Sequence, residues 1–263
     1  MRILVVALVL LLAVATAAAA AAPATKRPGE LTVALSLPAP ALQVGAVRGS
    51  EVVLARGLEV DVARAVARRL GLRLRLVQVA DAGRLLRPGR RGWDVALAQL
   101  VATPARSRAS AFTSPYFRDD PAVLVRRGLK RPTSLAQLRK LVLCAERGRR
   151  AADTVLTRVR PRTRPLLVTG VESLLRRVRT GVCDAAVAEL SRLGPALGGR
   201  RDLFGGLAGR IETERAYAVA LERGSPLLPS VEAAVRALRA DGTFRRLTAA
   251  WLGIDVAQLR VLR

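Results

Sequence analysis

The alternation of short apolar runs with amphipathic helical stretches most constrains how this 263-residue chain folds. Residues 31–35 have the length and composition of a buried strand, and residues 60–70 place Val62, Val66 and Leu70 at helical spacing before Gly71, a favourable residue after a helix end. Residues 72–79 alternate leucine with arginine, which predicts a half-buried strand. Strands alternating with helices in this way predict an α/β architecture.

The same pattern continues to the end of the chain. Further strands are predicted at residues 94–100, 121–126, 141–145, 166–168, 185–188 and 217–221. Further helices are predicted near residues 134–139, 151–159, 171–180 and 230–240. A chain of this length is able to form two lobes, each with its own core.

The N-terminus resembles an export signal. Met1 and Arg2 precede an apolar run over residues 3–14, and an alanine tract follows as far as Ala22. This order predicts a signal peptide over residues 1–22, cleaved before Pro23. No cysteine near that point is available to carry a lipid, so we expect a periplasmic protein without a lipid anchor. An uncleaved N-terminal membrane anchor is the alternative.

Composition excludes several classes of function. The chain has no histidine, so neither a Ser/His nor a Cys/His dyad is available, and zinc and haem lack their usual imidazole ligand. The net charge of +25 invites a nucleic-acid interpretation. The arginines, however, are scattered over helix faces without an aromatic platform between them, which favours a solvated basic surface. We therefore expect no cofactor, no metal and no nucleic-acid partner; selection for anionic ligands or envelope polymers is the alternative explanation of the charge.

Four groups of motifs, in series, resemble one protein family. Residues 57–67 (GLEVDVARAVA) resemble the helix entry "GFDVDLAKAIA" of the bacterial solute-binding proteins of family 3, which serve polar amino-acid ABC importers. Residues 94–98, 103–106 and 112–116 are similar to the family's "DVIIAGMTITPER…DFSDPYY". Residues 181–189 resemble "GRCDAVVTD", and residues 241–244 with 251–253 resemble "DGT…KWFG". The likeness extends from about residue 31 to residue 253 in the family's order.

The resemblance implies a two-lobed periplasmic binding protein fold of type II, with two doubly wound α/β lobes joined by two hinge strands. Lobe 1 would comprise residues 23–118 and 218–263, and lobe 2 residues 119–217, with hinges near 116–120 and 212–217. The implied function is capture of an amino-acid-like small molecule for a membrane ABC permease. We expect a monomer that is not an enzyme. A sensor or docking module that has lost ligand binding, or a cyclohexadienyl dehydratase-like enzyme using Glu189 as general acid, are the alternatives.

The resemblance also assigns binding residues. Arg106 occupies the place of the family's carboxylate-binding arginine, and Glu189 that of the aspartate that binds the ligand ammonium. Gly148 keeps the glycine of the "GTT" loop, whose helix has N–H groups able to bind the ligand carboxylate. Ser36, at the end of the first strand, is a further candidate. Arg106 and Glu189 would then bind opposite ends of one zwitterion from opposite lobes.

Other positions depart from the family pattern. Ala39, Leu42 and Asp81 stand where aromatic residues usually flank the ligand. The remaining departures are Gln99 and Val101 for the Gly and Thr of "AGMT", and Arg149 and Arg150 for the two threonines of "GTT". The two arginines favour an anionic group, whereas Asp81 favours a cationic one.

The two cysteines of the chain are Cys144, in the predicted strand 141–145, and Cys183, which opens the next matched strand. Their pairing resembles one found in some family members, and an oxidising compartment allows it. We predict a Cys144–Cys183 disulfide.

Overall fold

The computed structural model describes residues 24–81, 83–87 and 91–263. The predicted signal peptide, residues 1–22, lies outside these ranges. None of the helices formed by the described residues has the length and apolar character needed to cross a membrane.

The larger of the two sheets has seven strands, and we call the part of the molecule built on it lobe 1. Its strands in chain order are β1 (Glu30–Leu35), β2 (Val44–Arg48), β3 (Glu51–Arg56), β4 (Arg73–Gln78), β5 (Val95–Ala96), β6 (Ser110–Phe112) and β12 (Ala220–Glu222). The spatial order is β2, β3, β4, β1, β5, β12, β6. The central strand β1 runs parallel to β4 and β5, and its near-complete burial explains its continuous apolar run.

Three helices pack together beside this sheet: α1 (Leu58–Arg69), α7 (Leu228–Ala240) and α8 (Thr243–Leu252). Helix α1 contacts β1, β3 and β4 through its apolar face, on which Val60, Val62 and Val66 are buried. Gly57 precedes α1 at φ 132°, and a side chain there would collide with the backbone of Leu42. The glycine of the family motif is therefore required by a close backbone approach.

Lobe 2 contains a five-stranded sheet. Its strands are β7 (Pro121–Arg126), β8 (Leu143–Glu146), β9 (Leu166–Val168), β10 (Ala185–Glu189) and β11 (Phe204–Arg210). Their spatial order is β11, β7, β10, β8, β9. Helices α4 (Arg150–Thr154), α5 (Val171–Arg179) and α6 (Leu190–Leu197) pack against this sheet, and α4 continues as a π-helical turn over Val155–Val159. The remaining short helices are α2 (Pro104–Ser107), α3 (Leu135–Leu138) and 3₁₀ turns at Arg84–Leu86, Gly198–Leu203 and Val256–Gln258.

Two adjacent segments connect the sheets, one from β6 to β7 and one from β11 to β12. They are hydrogen-bonded to each other: Tyr217 N donates to Phe117 O at 2.7 Å, and Tyr116 N donates to Tyr217 O at 2.8 Å. Asp120 ties them further, because its Oδ1 accepts from Thr213 N at 2.9 Å and its Oδ2 binds Arg210. These segments contain the predicted hinge positions.

The end of the chain returns to lobe 2. Leu262 N donates to Arg210 O at 2.9 Å, and Leu135 N donates to Arg263 O at 2.9 Å. Residues 260–263 therefore contact lobe 2, and α8 packs against α6 of lobe 2 as well as against α1, whereas α7 packs with α1 and α8. The predicted lobe and hinge boundaries remain predictions.

The predicted fold class, a two-lobed α/β architecture, is confirmed. The predicted strand 94–100 is shorter than expected, since only Val95–Ala96 is strand. Gln99 adopts a left-handed conformation, φ 51°, which turns the chain out of the sheet. The antiparallel strands β2 and β3 were not predicted from the sequence, because buried and exposed side chains do not alternate regularly along them.

The predicted disulfide is confirmed. Cys144 and Cys183 are bonded, with 5.9 Å between their Cα atoms. Cys144 lies within β8 and Cys183 lies just before β10, and both side chains are fully buried. The bond therefore connects two neighbouring parallel strands of lobe 2.

Candidate functional site

A cleft of about 360 Å³ lies between the lobes. Lobe 1 lines it with Pro38, Ala39, Pro40, Leu42 and Gln99. Lobe 2 lines it with Gly148, Arg149, Arg150, Glu189, Ser191 and Arg192, and the connecting segments contribute Asp119 and Tyr217. The cleft therefore has an uncharged wall from lobe 1 and a charged wall from lobe 2.

Glu189 ends β10 and stands immediately before α6, with only 4% of its surface exposed. One carboxylate oxygen, Oε1, accepts a hydrogen bond from Ala151 N at 3.0 Å. The other oxygen, Oε2, is buried and has no hydrogen-bond partner among the described residues. A buried carboxylate oxygen without a donor is unfavourable. The cleft thus presents one unsatisfied anionic acceptor.

Asp119, in contrast, is fully engaged. It accepts hydrogen bonds from Ser191 N at 2.8 Å, Ser191 Oγ at 2.6 Å and the Tyr217 hydroxyl at 3.1 Å. Arg150 Nη2 lies 3.5 Å from Asp119 Oδ2 and also donates to the Tyr217 hydroxyl. Burial raises the pKa of Asp119, although the Ser191 bonds and Arg150 partly offset this.

Arg150 is held by the same group. Its burial acts to lower the pKa, but the Tyr217 hydroxyl and Asp119 outweigh that effect, so the pKa of Arg150 is raised. Its guanidinium also lies 5.5 Å from the centre of the Tyr217 ring, within range of a cation–π contact. Arg150, one of the two loop arginines expected to favour an anionic ligand group, is therefore already bonded to the connecting segments.

Glu146 and Arg192 form a second closed pair at the lobe 2 wall. Arg192 Nε and Nη2 donate to the two oxygens of Glu146, each at 2.7 Å, the bidentate geometry in which guanidinium and carboxylate bind most strongly. Arg149 Nε stands farther from Glu146, at 3.7 Å, and its side chain is 51% exposed. Arg149 is therefore bound to Glu146 less closely than Arg192 is, and its side chain is more exposed.

Glu59, on the first turn of α1, is a fully buried carboxylate in lobe 1. It accepts from Gln43 Nε2, from the Tyr116 hydroxyl, from Gln99 Nε2 and, at 2.7 Å, from Gln99 N. Burial raises the pKa of Glu59, and the four donated bonds counteract only part of that effect. Gln99 therefore stands at a left-handed position where the family has glycine. Its backbone N and its side-chain amide donate two of the four hydrogen bonds to the buried Glu59 carboxylate.

Six predicted site residues line the cleft: Ala39, Gln99, Gly148, Arg149, Arg150 and Glu189. The helix N–H group expected for a ligand carboxylate, Ala151 N, is bonded to Glu189 instead. Leu42 also lines the cleft. It stands where family members usually have an aromatic residue, and its own side chain has no ring. The roles of these residues in ligand binding remain predictions.

Four predicted residues lie outside this lining. Arg106 is exposed on α2, and its Nη1 donates to Val101 O at 3.1 Å. Val101 forms a bridge with Tyr217. Ser36 N donates to Gln43 Oε1 at 2.9 Å. Asp81 is exposed and accepts from Gly83 N at 2.8 Å, next to the 3₁₀ turn at Arg84–Leu86.

The sequence interpretation missed several residues that shape the site: Glu59, Asp119, Glu146, Ser191, Arg192 and Tyr217. Glu59 has a sequence signal, since it stands inside the matched motif 57–67. Asp119 and Tyr217 fall in the predicted hinges, so a charged or aromatic side chain at a hinge position is the signal that marks them. Ser191 and Arg192 directly follow Glu189, yet no motif marks them. Tyr217 supplies the aromatic ring in the described lining of the cleft.

Comparisons with known proteins place these features in context. Residues 50–254 match the model of the bacterial extracellular solute-binding proteins, family 3. A curated relative, the membrane-bound lytic murein transglycosylase F of Ectopseudomonas mendocina (strain ymp), is 29% identical over 215 residues, which are 77% of this chain. The match covers 43% of that protein, so the chain spans less than half the length of this relative.

Solved structures share the fold. The L-cystine solute receptor of Neisseria gonorrhoeae, in its unliganded open conformation, aligns with a TM-score of 0.72 at 17% identity, over 88% of this chain and 96% of that one. An ancestral cationic amino acid solute-binding protein aligns with a TM-score of 0.68 at 20% identity, over 86% of this chain and 97% of that one. At such identities the likeness shows the fold alone.

Proposed function

We propose that this chain, which belongs to the bacterial extracellular solute-binding proteins of family 3, is a periplasmic receptor that captures an amino-acid-like small molecule between its lobes. It delivers the ligand to a membrane ABC permease and does not turn it over. Export through a cleaved signal peptide over residues 1–22 is part of the same proposal. The names of the two similar structures, an L-cystine receptor and a cationic amino acid binder, support this class of ligand.

The unpartnered oxygen of Glu189 carries the proposal. Asp119 and Glu146, the other buried carboxylates at this wall, already have donors on both oxygens. Glu189 Oε2 alone of these lacks one. An ammonium group in the cleft would supply the missing donor and neutralise the charge. The ligand therefore has a cationic end that binds lobe 2.

The anionic end has guanidinium groups available in both lobes. Arg149 is half exposed at the cleft. Arg106, in lobe 1, forms no ion pair within the described residues, and its side chain contacts the backbone of Val101, two residues beyond Gln99. Closure of the lobes over a zwitterion brings a guanidinium to its carboxylate, so ligand binding stabilises the closed state.

Binding without turnover agrees with the chemistry of the cleft. A dehydratase-like reaction with Glu189 as general acid also needs a base within reach of the substrate. Asp119, the other carboxylate of the lining, has its oxygens bonded to Ser191, Tyr217 and Arg150. The chain has no histidine to serve instead.

A sensor or docking module of the same fold is the second candidate. Two observations favour it: lobe 1 contributes no aromatic ring to the described lining of the cleft, and a curated relative is a murein transglycosylase rather than a transport protein. In this case the cleft would not bind amino acids, and the protein would act through a partner.

A thermal-shift screen against amino acids and organic acids, followed by calorimetry on the strongest hit, tests the proposal, because a ligand of the native state raises the melting temperature. Glu189→Gln keeps the acceptor for Ala151 N but loses the charge, and should weaken an ammonium-bearing ligand by roughly 2–5 kcal/mol. Arg106→Ala should weaken a carboxylate-bearing ligand by a similar amount.

Matched controls are available in both lobes. Glu172→Gln removes an exposed carboxylate that pairs with Arg200 on lobe 2, and Arg108→Ala removes an exposed arginine two residues from Arg106. Both should leave affinity unchanged. Unchanged affinity in Glu189→Gln would contradict the cationic end, no shift with any solute would favour the sensor, and product formed from a cyclohexadienyl acid would favour the enzyme.

A further inference from the structure

A second cavity, of about 600 Å³, lies in lobe 1 away from the cleft and shares no lining residue with it. Strand β4 supplies one side with Arg75 and Val77, and the 3₁₀ turn at Arg84–Leu86 supplies another. Val77 and Trp93 are nearly fully buried beside it. We call it the basic cavity because five arginines line it: Arg27, Arg75, Arg84, Arg87 and Arg91.

No carboxylate lines the basic cavity among the described residues. All Asp and Glu of the chain lie in the described ranges, so none is missing from this comparison. Arg75 pairs with Glu51 outside the lining, whereas Arg27, Arg84 and Arg87 form no ion pair within the part of the chain that the structure describes. Like charges brought together in a concave surface raise the local potential and attract anions.

Abundance of arginine in the chain does not explain this arrangement. A larger cavity of about 1000 Å³ beside the connecting segments also has five lining arginines, but Asp119, Asp153, Glu212 and Glu214 line it with them. The cleft likewise includes Asp119 and Glu189. Charges are mixed in these two cavities and of one sign in the basic cavity.

Arg91 gives the basic cavity a rigid base. Its guanidinium donates to Ser110 Oγ at 2.9 Å and to Leu221 O and Ala109 O at 3.1 Å, and it stands 4.8 Å from the centre of the Trp93 ring. The residue is 8% exposed, and its Nε is buried without a partner in the described structure. Arg84 and Arg87, in contrast, are exposed and free to adjust.

We propose that the basic cavity binds a soluble oligophosphate, a small anion with two or more phosphate groups. Guanidinium groups bind phosphate oxygens in bidentate geometry, and several arginines around one concave space favour an anion with several charges over a single phosphate. The concave shape favours a molecule that enters the cavity over the flat surface of a membrane. This site is independent of ligand capture in the cleft.

Calorimetric titration of the full chain with tripolyphosphate tests the proposal, with orthophosphate as the comparison that carries a single phosphate group. Wild type should bind tripolyphosphate more tightly than orthophosphate, with an affinity that falls as salt rises. Arg84→Gln with Arg87→Gln should weaken tripolyphosphate at least about tenfold, because each charge-assisted hydrogen bond to phosphate is lost. Both side chains are exposed, so the variant should fold normally.

The matched control is Arg236→Gln with Arg239→Gln on α7, which removes two exposed arginines without ion pairs from the same lobe of the described structure. It should keep wild-type affinity for tripolyphosphate. Equal weakening in both double variants would show an effect of net charge alone and overturn the proposal. Binding to phosphatidylglycerol vesicles without binding of tripolyphosphate would overturn it in favour of a membrane surface.

Discussion

Glu59 in lobe 1 and Glu189 in lobe 2 are both buried carboxylates at the first turn of a helix or directly before one. Glu59 receives hydrogen bonds on both oxygens from three side chains and a backbone N–H group. Glu189 receives one bond, and its second oxygen is unsatisfied. The first carboxylate therefore connects lobe 1 to the connecting segments through Tyr116, whereas the second retains acceptor capacity within the described structure.

The two walls of the cleft differ in the same sense. Lobe 1 contributes proline, alanine, leucine and one glutamine, and lobe 2 contributes arginines, a serine and Glu189. The charged groups of the described lining thus lie in lobe 2 and the connecting segments. Lobe 2 is also the lobe that carries the disulfide, next to the strand that ends in Glu189.

The largest expected effect comes from removing that disulfide. Replacing both Cys144 and Cys183 with alanine should lower the free energy of unfolding by about 4 kcal/mol in the chain-entropy estimate for a loop of this length. Trp93 packs in the core of lobe 1, and Trp251 Nε1 donates to Asp61 of α1 at 2.7 Å, so tryptophan fluorescence reports lobe 1 while circular dichroism reports the whole chain. In urea, the dichroism transition should shift more than the fluorescence transition. Equal shifts of both would mean that the lobes unfold as one unit and would weaken the contrast between them.

Glu59→Gln should have the next largest effect. The amide accepts fewer hydrogen bonds than a carboxylate and leaves buried donors unsatisfied, so we expect a loss of roughly 1–3 kcal/mol in the free energy of unfolding. The loss should depend on pH. Because burial raises the pKa of folded Glu59 above 4.5, the unfolded chain ionises first, and the wild type loses stability as pH rises from 4.5 toward the folded pKa.

The advantage of wild type over Glu59→Gln should therefore shrink with rising pH in that window. Denaturant titrations of both proteins across the window check this, and the difference between them isolates Glu59 from the other carboxylates. A difference that grows with pH would mean that the hydrogen bonds outweigh burial and that the pKa of Glu59 is lowered. Glu59 would then be a stabilised anion, and the contrast with Glu189 would be sharper still.

Ala39→Tyr should have the smallest effect and changes the uncharged wall itself. A ring on lobe 1 would add apolar and stacking contact with the ligand, worth roughly 0.5–1.5 kcal/mol, or up to about tenfold in affinity. Calorimetry with the ligand found by the screen measures it, and Ala39→Leu, which adds volume without a ring, is the control. Weaker binding in Ala39→Tyr alone would mean that the cleft has no room for the family's aromatic clamp.

Part of the order of elements in the chain was predictable because it depends on local patterns, although β6, β11, α6 and α8 had no prediction. The strand at residues 31–35 and the helix at 60–70 follow from apolar spacing, and Gly71 follows from the turn that ends the helix. The disulfide was predictable because the chain has two cysteines in matched strands. The β2–β3 pair and the turn at Gln99 were not, since pairing partners and a left-handed residue leave no periodic signal.

The sequence by itself determined the α/β class, the family likeness and the carboxylate at position 189, all of which depend on residue type and spacing. Only the tertiary structure decided which charges are free. Arg150 is bonded to Asp119 and Tyr217, and Arg192 is bonded to Glu146, while one oxygen of Glu189 has no partner among the residues that the structure describes. Likewise, only the fold brought Arg27, Arg75, Arg84, Arg87 and Arg91 to one cavity. The physical reason is that a charged group attracts a ligand only as far as neighbouring opposite charges do not neutralise it. Those neighbours come from distant parts of the chain.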